Sequence, residues 1–227
     1  MALADDIKSE VTNTLRSRWT VRDGRKVPSD TDIGLANDGV RLDAAILYAD
    51  LVDSSGLVEG FTAEFAAEVY KSYLVTACRV IRSNGGEITA FDGDRVMSVF
   101  IGHQKESDAV KTALQINFAI KQIVNVAIKA QYPTSTFEIQ HVVGIDTGSI
   151  LVAKTGIRGS NDLVWVGRCA NVSAKLCAIR PSYATWITDR VYALLTPETK
   201  LSRGQSMWES CTWSSASIYR STYWWQI

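Results

Sequence analysis

The stretch Ala44-Ala45-Ile46-Leu47-Tyr48-Ala49-Asp50-Leu51 decides the fold. It is an apolar run of strand length without alternation, and such a run reads as a strand buried on both faces. It ends at a carboxylate, Asp50, a residue rarely buried in a plain core strand. Downstream, Phe65, Val69, Tyr73, Ala77 and Val80 share one stripe, so a helix is expected over about 62–83. Asn84-Gly85-Gly86 is a strong helix stop. Residues 87–91 and 96–100 read as two strands joined by Asp92-Gly93-Asp94, a tight hairpin signal. A second helix is expected over 105–129, with Ala109, Ala113, Ile116, Ile120, Val124 and Ala127 facing inward. Phe137, Ile139, His141, Val143 and Ile145 alternate as a strand, Asp146-Thr147-Gly148 reads as a turn, and 150–153 as another strand. A short strand at 164–166 and a helix over about 171–178 follow. The order β-α-β-β-α-β is the ferredoxin-like split unit, extended at its C-terminal side. It implies an α+β domain with helices packed on a mostly antiparallel sheet.

Upstream of that unit, Leu3, Ile7, Val11, Leu15 and Trp19 repeat at a spacing of four, so residues 1–20 read as an amphipathic helix. The polar stretch from Arg22 to Gly39 carries the turn signals Asp23-Gly24, Pro28 and Asn37-Asp38-Gly39 and reads as a linker. The expected organisation is an N-terminal helical arm and linker over 1–39 and one domain over 40–227. Downstream, 207–227 holds Trp208, Trp213, Tyr219, Tyr223, Trp224 and Trp225, interleaved with serines, and reads as edge strands.

The chain has 227 residues, 46% hydrophobic and 21% charged, which suits a packed core and excludes disorder. Lys and Arg total 24, as do Asp and Glu, which argues against a nucleic-acid coat or a basic membrane-surface protein. The longest apolar runs fall far short of a membrane span, and no secretion signal is expected. Cys78, Cys169, Cys177 and Cys211 show no C-x-x-C spacing, so zinc is not expected and reduced thiols in a cytoplasmic protein are. His103 and His141 are too few and too far apart for a hydrolase triad or a zinc site.

In the split unit the first strand and the hairpin are neighbours, so Asp50 and Asp94 can converge. Converging carboxylates without His or Cys suit hard divalent cations, Mg²⁺ or Mn²⁺. Two such ions are the usual device of phosphoryl transfer. The plainer reading is that Asp50 caps the next segment and Asp94 is a turn acid.

Four segments then resemble one family. Ile46-Leu47-Tyr48-Ala49-Asp50-Leu51-Val52-Asp53-Ser54-Ser55 is similar to the metal-binding strand of class III nucleotide cyclases. Gly85-Gly86-Glu87-Ile88 with Gly93-Asp94-Arg95-Val96-Met97-Ser98-Val99-Phe100 is similar to their glycine-aspartate hairpin. Val143-Gly144-Ile145-Asp146-Thr147-Gly148 resembles their Gly-Ile-His-Thr-Gly strand. Gly167-Arg168-Cys169-Ala170-Asn171-Val172-Ser173-Ala174-Lys175-Leu176 resembles their Gly-x-x-Val-Asn-x-Ala-x-Arg-Leu helix. The resemblance implies that Asp50 and Asp94, with the Leu51 carbonyl, hold two Mn²⁺ or Mg²⁺ ions. It implies that backbone N–H groups around Asp53, Ser54 and Ser55 cradle a triphosphate. Asn171 would orient the ribose, and Lys175, where the family has arginine, would steady the α-phosphate without a bidentate fork. It also implies a homodimer that shares residues between two sites.

The base-reading positions depart from the family. Ala90 stands where adenylate cyclases have lysine, and Val164 where they have aspartate or threonine. The glutamate and cysteine of guanylate cyclases are absent too, so neither purine has its usual reader. The short form with an altered base site looks like the bacterial Pycsar pyrimidine cyclases. That resemblance implies UTP as substrate, with CTP the alternative, cyclic UMP as product, and antiphage signalling through a separate cyclic-nucleotide-responsive effector. An inactive cyclase-homology regulatory module is the other reading. Trp165 is expected to narrow the pocket toward one ring, and Tyr48, Asp92 and Arg95 are further candidates for reading the base. Gly85-Gly86-Glu87 also resembles the diguanylate cyclase turn, but Ile88 and Thr89 follow where that motif has an acid and an aromatic. Arg220 is a loose candidate for the terminal phosphates.

Overall fold

The computed structural model describes residues 2–179 and 182–227. Helix α1 (Leu3–Arg16) is followed by β1 (Thr20–Asp23) and the long strand β2 (Asp38–Leu51). Helices α2 (Ser54–Gly60) and α3 (Ala63–Ser83) lead to the hairpin β3 (Glu87–Asp92) and β4 (Arg95–Phe100). Helix α4 (Lys105–Ala119) passes through a π-turn (Ile120–Val124) into α5 (Asn125–Gln131). The 17-residue strand β5 (His141–Ile157) pairs back on β6 (Ser160–Val166), and α6 (Arg168–Cys177) follows. Then come β7 (Thr185–Thr188), α7 (Asp189–Leu194), α8 (Pro197–Lys200), the small hairpin β8 (Leu201–Ser202) and β9 (Gln205–Ser206), and the hairpin β10 (Glu209–Trp213) and β11 (Ala216–Ser221). No helix among the described residues is long and apolar enough to cross a membrane.

The main sheet runs β10-β11-β7-β5-β2-β4-β3, with β1 beside β2 and β6 beside β5. The order β3-β4-β2-β5 is that of the ferredoxin-like split unit. Among the described residues only β5–β7 and β1–β2 are parallel pairs. Strand β2 is buried because layers cover both of its faces. Ala45, Leu47, Ala49 and Leu51 point to α3 and α4, with Tyr73, Leu114 and Ile116 in that core. Ala44 and Ile46 point the other way, to Cys169 and Ala170 of α6.

Four expectations change. Strand β2 begins six residues before Ala44, and residues 20–39 are no free linker: β1 pairs with Asp38–Arg41, and Ile33 is buried in the core. Helix α1 has no buried residue and exposes its apolar stripe, and Asn37 Nδ2 ties its end by donating to the Thr14 carbonyl at 2.8 Å. Asp146-Thr147-Gly148 does not turn the chain, because these residues stay paired with Ile46, Ala45 and Ala44 inside β5. The Asp146 carboxylate is fully buried and finds its partners in distant side chains rather than in a local turn. The π-turn adds a residue to the second helix, so the inward position moves from Ala127, which is exposed, to Ile128, which is buried. The expected strand at 137–145 forms only from His141, because the Asn125 side chain takes both the N–H and the carbonyl of Ile139.

The C-terminal aromatics divide. Residues 209–221 form the expected edge hairpin, whereas 222–226 cross α4 as a strap. Asn117 Nδ2 donates to the Thr222 and Tyr223 carbonyls at 3.1 and 2.8 Å, and Gln115 Nε2 donates to that of Gln226 at 3.3 Å. Trp225 packs on the core. The four cysteines are free thiols.

Candidate active site

Two carboxylates meet where β2 ends. Asp50 is the penultimate residue of β2, facing the α6 side with Tyr48 and Ile46. Ala49 pairs with Val96 of β4, so the β3–β4 turn lies beside Asp50. That turn is Gly93-Asp94, with Gly93 at φ +62°, a conformation side chains disfavour. Burial, and then the charge of Asp94, push the Asp50 carboxyl up to about 6. Asp94 Oδ2 is buried with no hydrogen-bond partner among the described residues. Two crowded carboxylates, one with an orphaned oxygen, are what a divalent cation relieves. Among the described residues no group of three or more His, Cys, Asp or Glu forms a metal cluster. The donors that the structure brings together here are the two carboxylates, oxygen ligands of the kind that Mg²⁺ or Mn²⁺ takes.

Asp53 adopts the left-handed conformation, φ 57°, and caps α2 by accepting from the Gly56 N–H. Its side chain is thus engaged in the turn, while Ser54 and Ser55 open the helix. Asp92 receives a 2.6 Å bond from Arg95 Nη2, and the Arg95 guanidinium lies 5.4 Å from the Tyr48 ring. Burial pushes the Tyr48 phenol up.

Tyr48, Ala90, Leu163 and Trp165 each pack against the core on the α6 side of the sheet. Strand β3 is irregular between Ile88 and Ala90. Trp165 and Val164 point to opposite faces of β6: Trp165 packs inward, and Val164 is exposed. They therefore do not line one pocket from within a single chain. Trp165 instead lines a cleft of about 340 Å³ that Val27, Ser29 and Asp30 roof, and its buried Nε1 has no partner there. The roof lies in the segment read as a linker. Its one sequence signal was Pro28, and beside it Ser29 caps a short turn held by Asp32.

Helix α6 lies on the sheet through small residues. Ser173 Oγ donates to the Ile46 carbonyl at 2.9 Å, and Cys177 Sγ to that of Tyr48 at 3.2 Å. Burial pushes the Cys177 thiol far up. Asn171 and Lys175 are exposed on the opposite side of the helix. Among the described residues no hydrogen bond joins either to Asp50 or Asp94. The start of α6 is tied down by Asp146, to which Arg168 Nη1, Arg190 Nη2 and Thr188 Oγ1 donate at 3.2, 2.9 and 2.7 Å. Arg220 is engaged elsewhere, paired with Glu209 at 3.3 Å and stacked 4.1 Å from the Tyr183 ring.

No family model matches the chain. It is 44% identical over 231 residues to the uridylate cyclase of Xanthomonas perforans and 43% identical over 231 residues to that of Burkholderia cepacia, with full coverage of each. The uridylate cyclase of Rhodovulum sp. (strain MB263) is 37% identical, covering 99% of this chain and 98% of that one. Among solved structures, the adenylyl cyclase CyaB from P. aeruginosa superposes with a TM-score of 0.67 at 20% identity, covering 81% of this chain and 95% of that one. A bacterial light-regulated adenylyl cyclase gives 0.68 at 23%, covering 79% and 51%. These likenesses carry the fold; the full-length relatives carry the assignment. The chain belongs to the uridylate cyclases and is a nucleotidyl cyclase of the class III fold.

Proposed function

We propose that this cyclase converts UTP to 3′,5′-cyclic UMP and pyrophosphate in the cytoplasm, as a homodimer with two equivalent sites. The observation that carries the reading is the full-length 44% identity to a uridylate cyclase. The paired Asp50 and Asp94 favour it over an inactive module, since a carboxyl pushed up to about 6 beside another serves no packing need.

The ribose 3′-oxygen attacks the α-phosphorus and pyrophosphate leaves. Asp50, Asp94 and the Leu51 carbonyl would hold divalent cations, which would supply Lewis-acid activation and neutralise phosphate charge. Asn171 of the partner protomer holds the ribose, and its Lys175 places a point charge beside the α-phosphate. Backbone N–H groups opening α2 at Ser54 and Ser55 receive the outer phosphates. Ala90 and the outward-facing Val164 offer no purine-reading hydrogen bond, while Trp165 and Tyr48 supply flat surfaces for one ring. Arg95 and Asp92 are the donor and acceptor nearest Tyr48. Residues 20–227, with β1 and Ile33 built into the sheet and core, form the catalytic unit, with α1 as an arm. The cyclic product acts as a second messenger in antiphage defence, read by a separate effector protein.

An assay with UTP, CTP, ATP and GTP and Mn²⁺, read by the mass of the cyclic product, tests this. Cyclic UMP is expected. Cyclic AMP as the main product would overturn the pyrimidine reading, and no product from any nucleotide would overturn the enzyme reading.

A further inference from the structure

Helix α6 buries Cys169, Ala170, Ser173, Leu176 and Cys177 and exposes Arg168, Asn171 and Lys175. Those three stand at i, i+3 and i+7, one stripe on a helix of 3.6 residues per turn. Asn171 and Lys175 carry the ribose and α-phosphate roles proposed above, and Arg168 has none. Along the axis Lys175 lies about 6 Å to one side of Asn171, and Arg168 about 4.5 Å to the other. A nucleotide with its phosphate at Lys175 and its ribose at Asn171 extends its base toward Arg168.

Arg168 is oriented before any ligand arrives. Its Nη1 donates to Asp146 Oδ2 at 3.2 Å, and that carboxylate is fully buried. Asp146 is itself fixed by Arg190, at 2.9 and 3.2 Å, and by Thr188 at 2.7 Å. The Arg168 side chain is still 56% exposed, so other N–H groups of its fork face outward. Two guanidiniums share one carboxylate, which leaves a net positive charge at the head of α6.

We propose that Arg168 contacts the nucleobase, donating from the outer edge of its guanidinium to a carbonyl oxygen of a pyrimidine. The proposal rests on the cyclase reading of α6. A guanidinium donates and never accepts. Uracil offers it two carbonyl acceptors. Cytosine offers one, together with an amino group that needs an acceptor. Adenine has no carbonyl. Arg168 therefore gives a pyrimidine carbonyl a donor, which the apolar Ala90 and Val164 cannot do.

Calorimetric binding of 3′-deoxy-UTP and 3′-deoxy-ATP, which cannot cyclise, tests this in the full chain. Arg168→Met should weaken the uridine ligand about ten-fold or more and leave the adenosine ligand unchanged. Arg168→Lys keeps the ion pair with Asp146 and the parent melting temperature, yet loses the planar fork, so the uridine preference should still fall. Equal weakening of both ligands, or parent preference in the lysine variant, would overturn the proposal. If Arg168→Met does not fold, the lysine variant decides. A parent chain that binds both ligands but forms no product from any nucleotide would overturn the cyclase reading alone, and the binding comparison would still judge Arg168. A parent that binds neither would overturn both.

Discussion

Gly144 of β5 and Ser173 of α6 are in backbone contact: a Cβ on Gly144 would lie 2.2 Å from the Ser173 carbonyl oxygen and 2.8 Å from Leu176 Cβ. Helix α6 rests on the sheet at a point where only hydrogen fits. Gly144→Ala should therefore lift α6 and cost about 1–3 kcal/mol of stability by overpacking. Turnover should fall by about 100-fold, because Asn171 and Lys175 ride on that helix. Thermal melting and initial rates check this. A destabilised variant with the parent rate would show that α6 does not carry the site.

Asp50 and Asp94 should be separable from the fold. Asp50→Ala or Asp94→Ala is expected to abolish cyclic product and keep or slightly raise the melting temperature, since each removes one of two like charges. A chelator should silence the parent, and added Mn²⁺ or Mg²⁺ should restore it. Residual product from both variants, read by mass, would remove the two carboxylates from the chemistry.

Mixing an Asp50→Ala chain with an Asn171→Ala chain, each inactive alone, should restore about one good site per mixed dimer. Activity is measured against the mixing ratio and should peak near equal amounts. A flat, inactive profile at every ratio would mean that the site is built within one chain.

His141 sets a pH dependence of stability. It is 5% exposed, its Nε2 has no partner, and burial, aided by Lys121, lowers its pKa from 6.5 to about 3. The unfolded chain takes up a proton below pH 6.5 and the folded chain does not until about pH 3. Stability is thus full above pH 6.5 and is lost at about 1.4 kcal/mol per pH unit on the way down. Urea unfolding at a series of pH values, in the parent and in His141→Gln, should show this slope in the parent and a shallower one in the variant.

Asn117→Leu should free the C-terminal strap. The side chain holds the Thr222 and Tyr223 carbonyls, and its loss leaves both without their donor, at about 1–3 kcal/mol. Hydrogen exchange over 222–226 and chymotryptic cleavage near Trp224 should both accelerate. Unchanged exchange would show that Trp225 packing and the bonds from Gln115 and to Leu114 hold the strap without Asn117.

The positions of Asp50 and Asp94 in the fold were legible for opposite reasons: Asp50 breaks a local rule as an acid closing an apolar strand, whereas Asp94 obeys one as an aspartate in a tight turn. The helix carrying Asn171 was legible from its motif, although it starts three residues earlier than expected. Asp146 was not legible as a strand residue. Its dipeptides have turn chemistry, and the partners that cancel it, Arg168 and Arg190, lie 22 and 44 residues away. The opposite facing of Val164 and Trp165 follows from strand alternation, which three residues of expected strand left undeveloped. The π-turn has no periodic signature of its own, so the phase change between Ala127 and Ile128 emerged only from packing.

The strap also fixes the order in which the molecule can be completed. The inward amides of Gln115 and Asn117 meet their acceptors 111 and 105–106 residues further along the chain. During synthesis α4 leaves the ribosome with these groups unmatched and stays so for roughly 5–20 s at ordinary elongation rates. The helical layer over the sheet therefore ripens late, and an unfinished chain meets the cell with a loosely closed core.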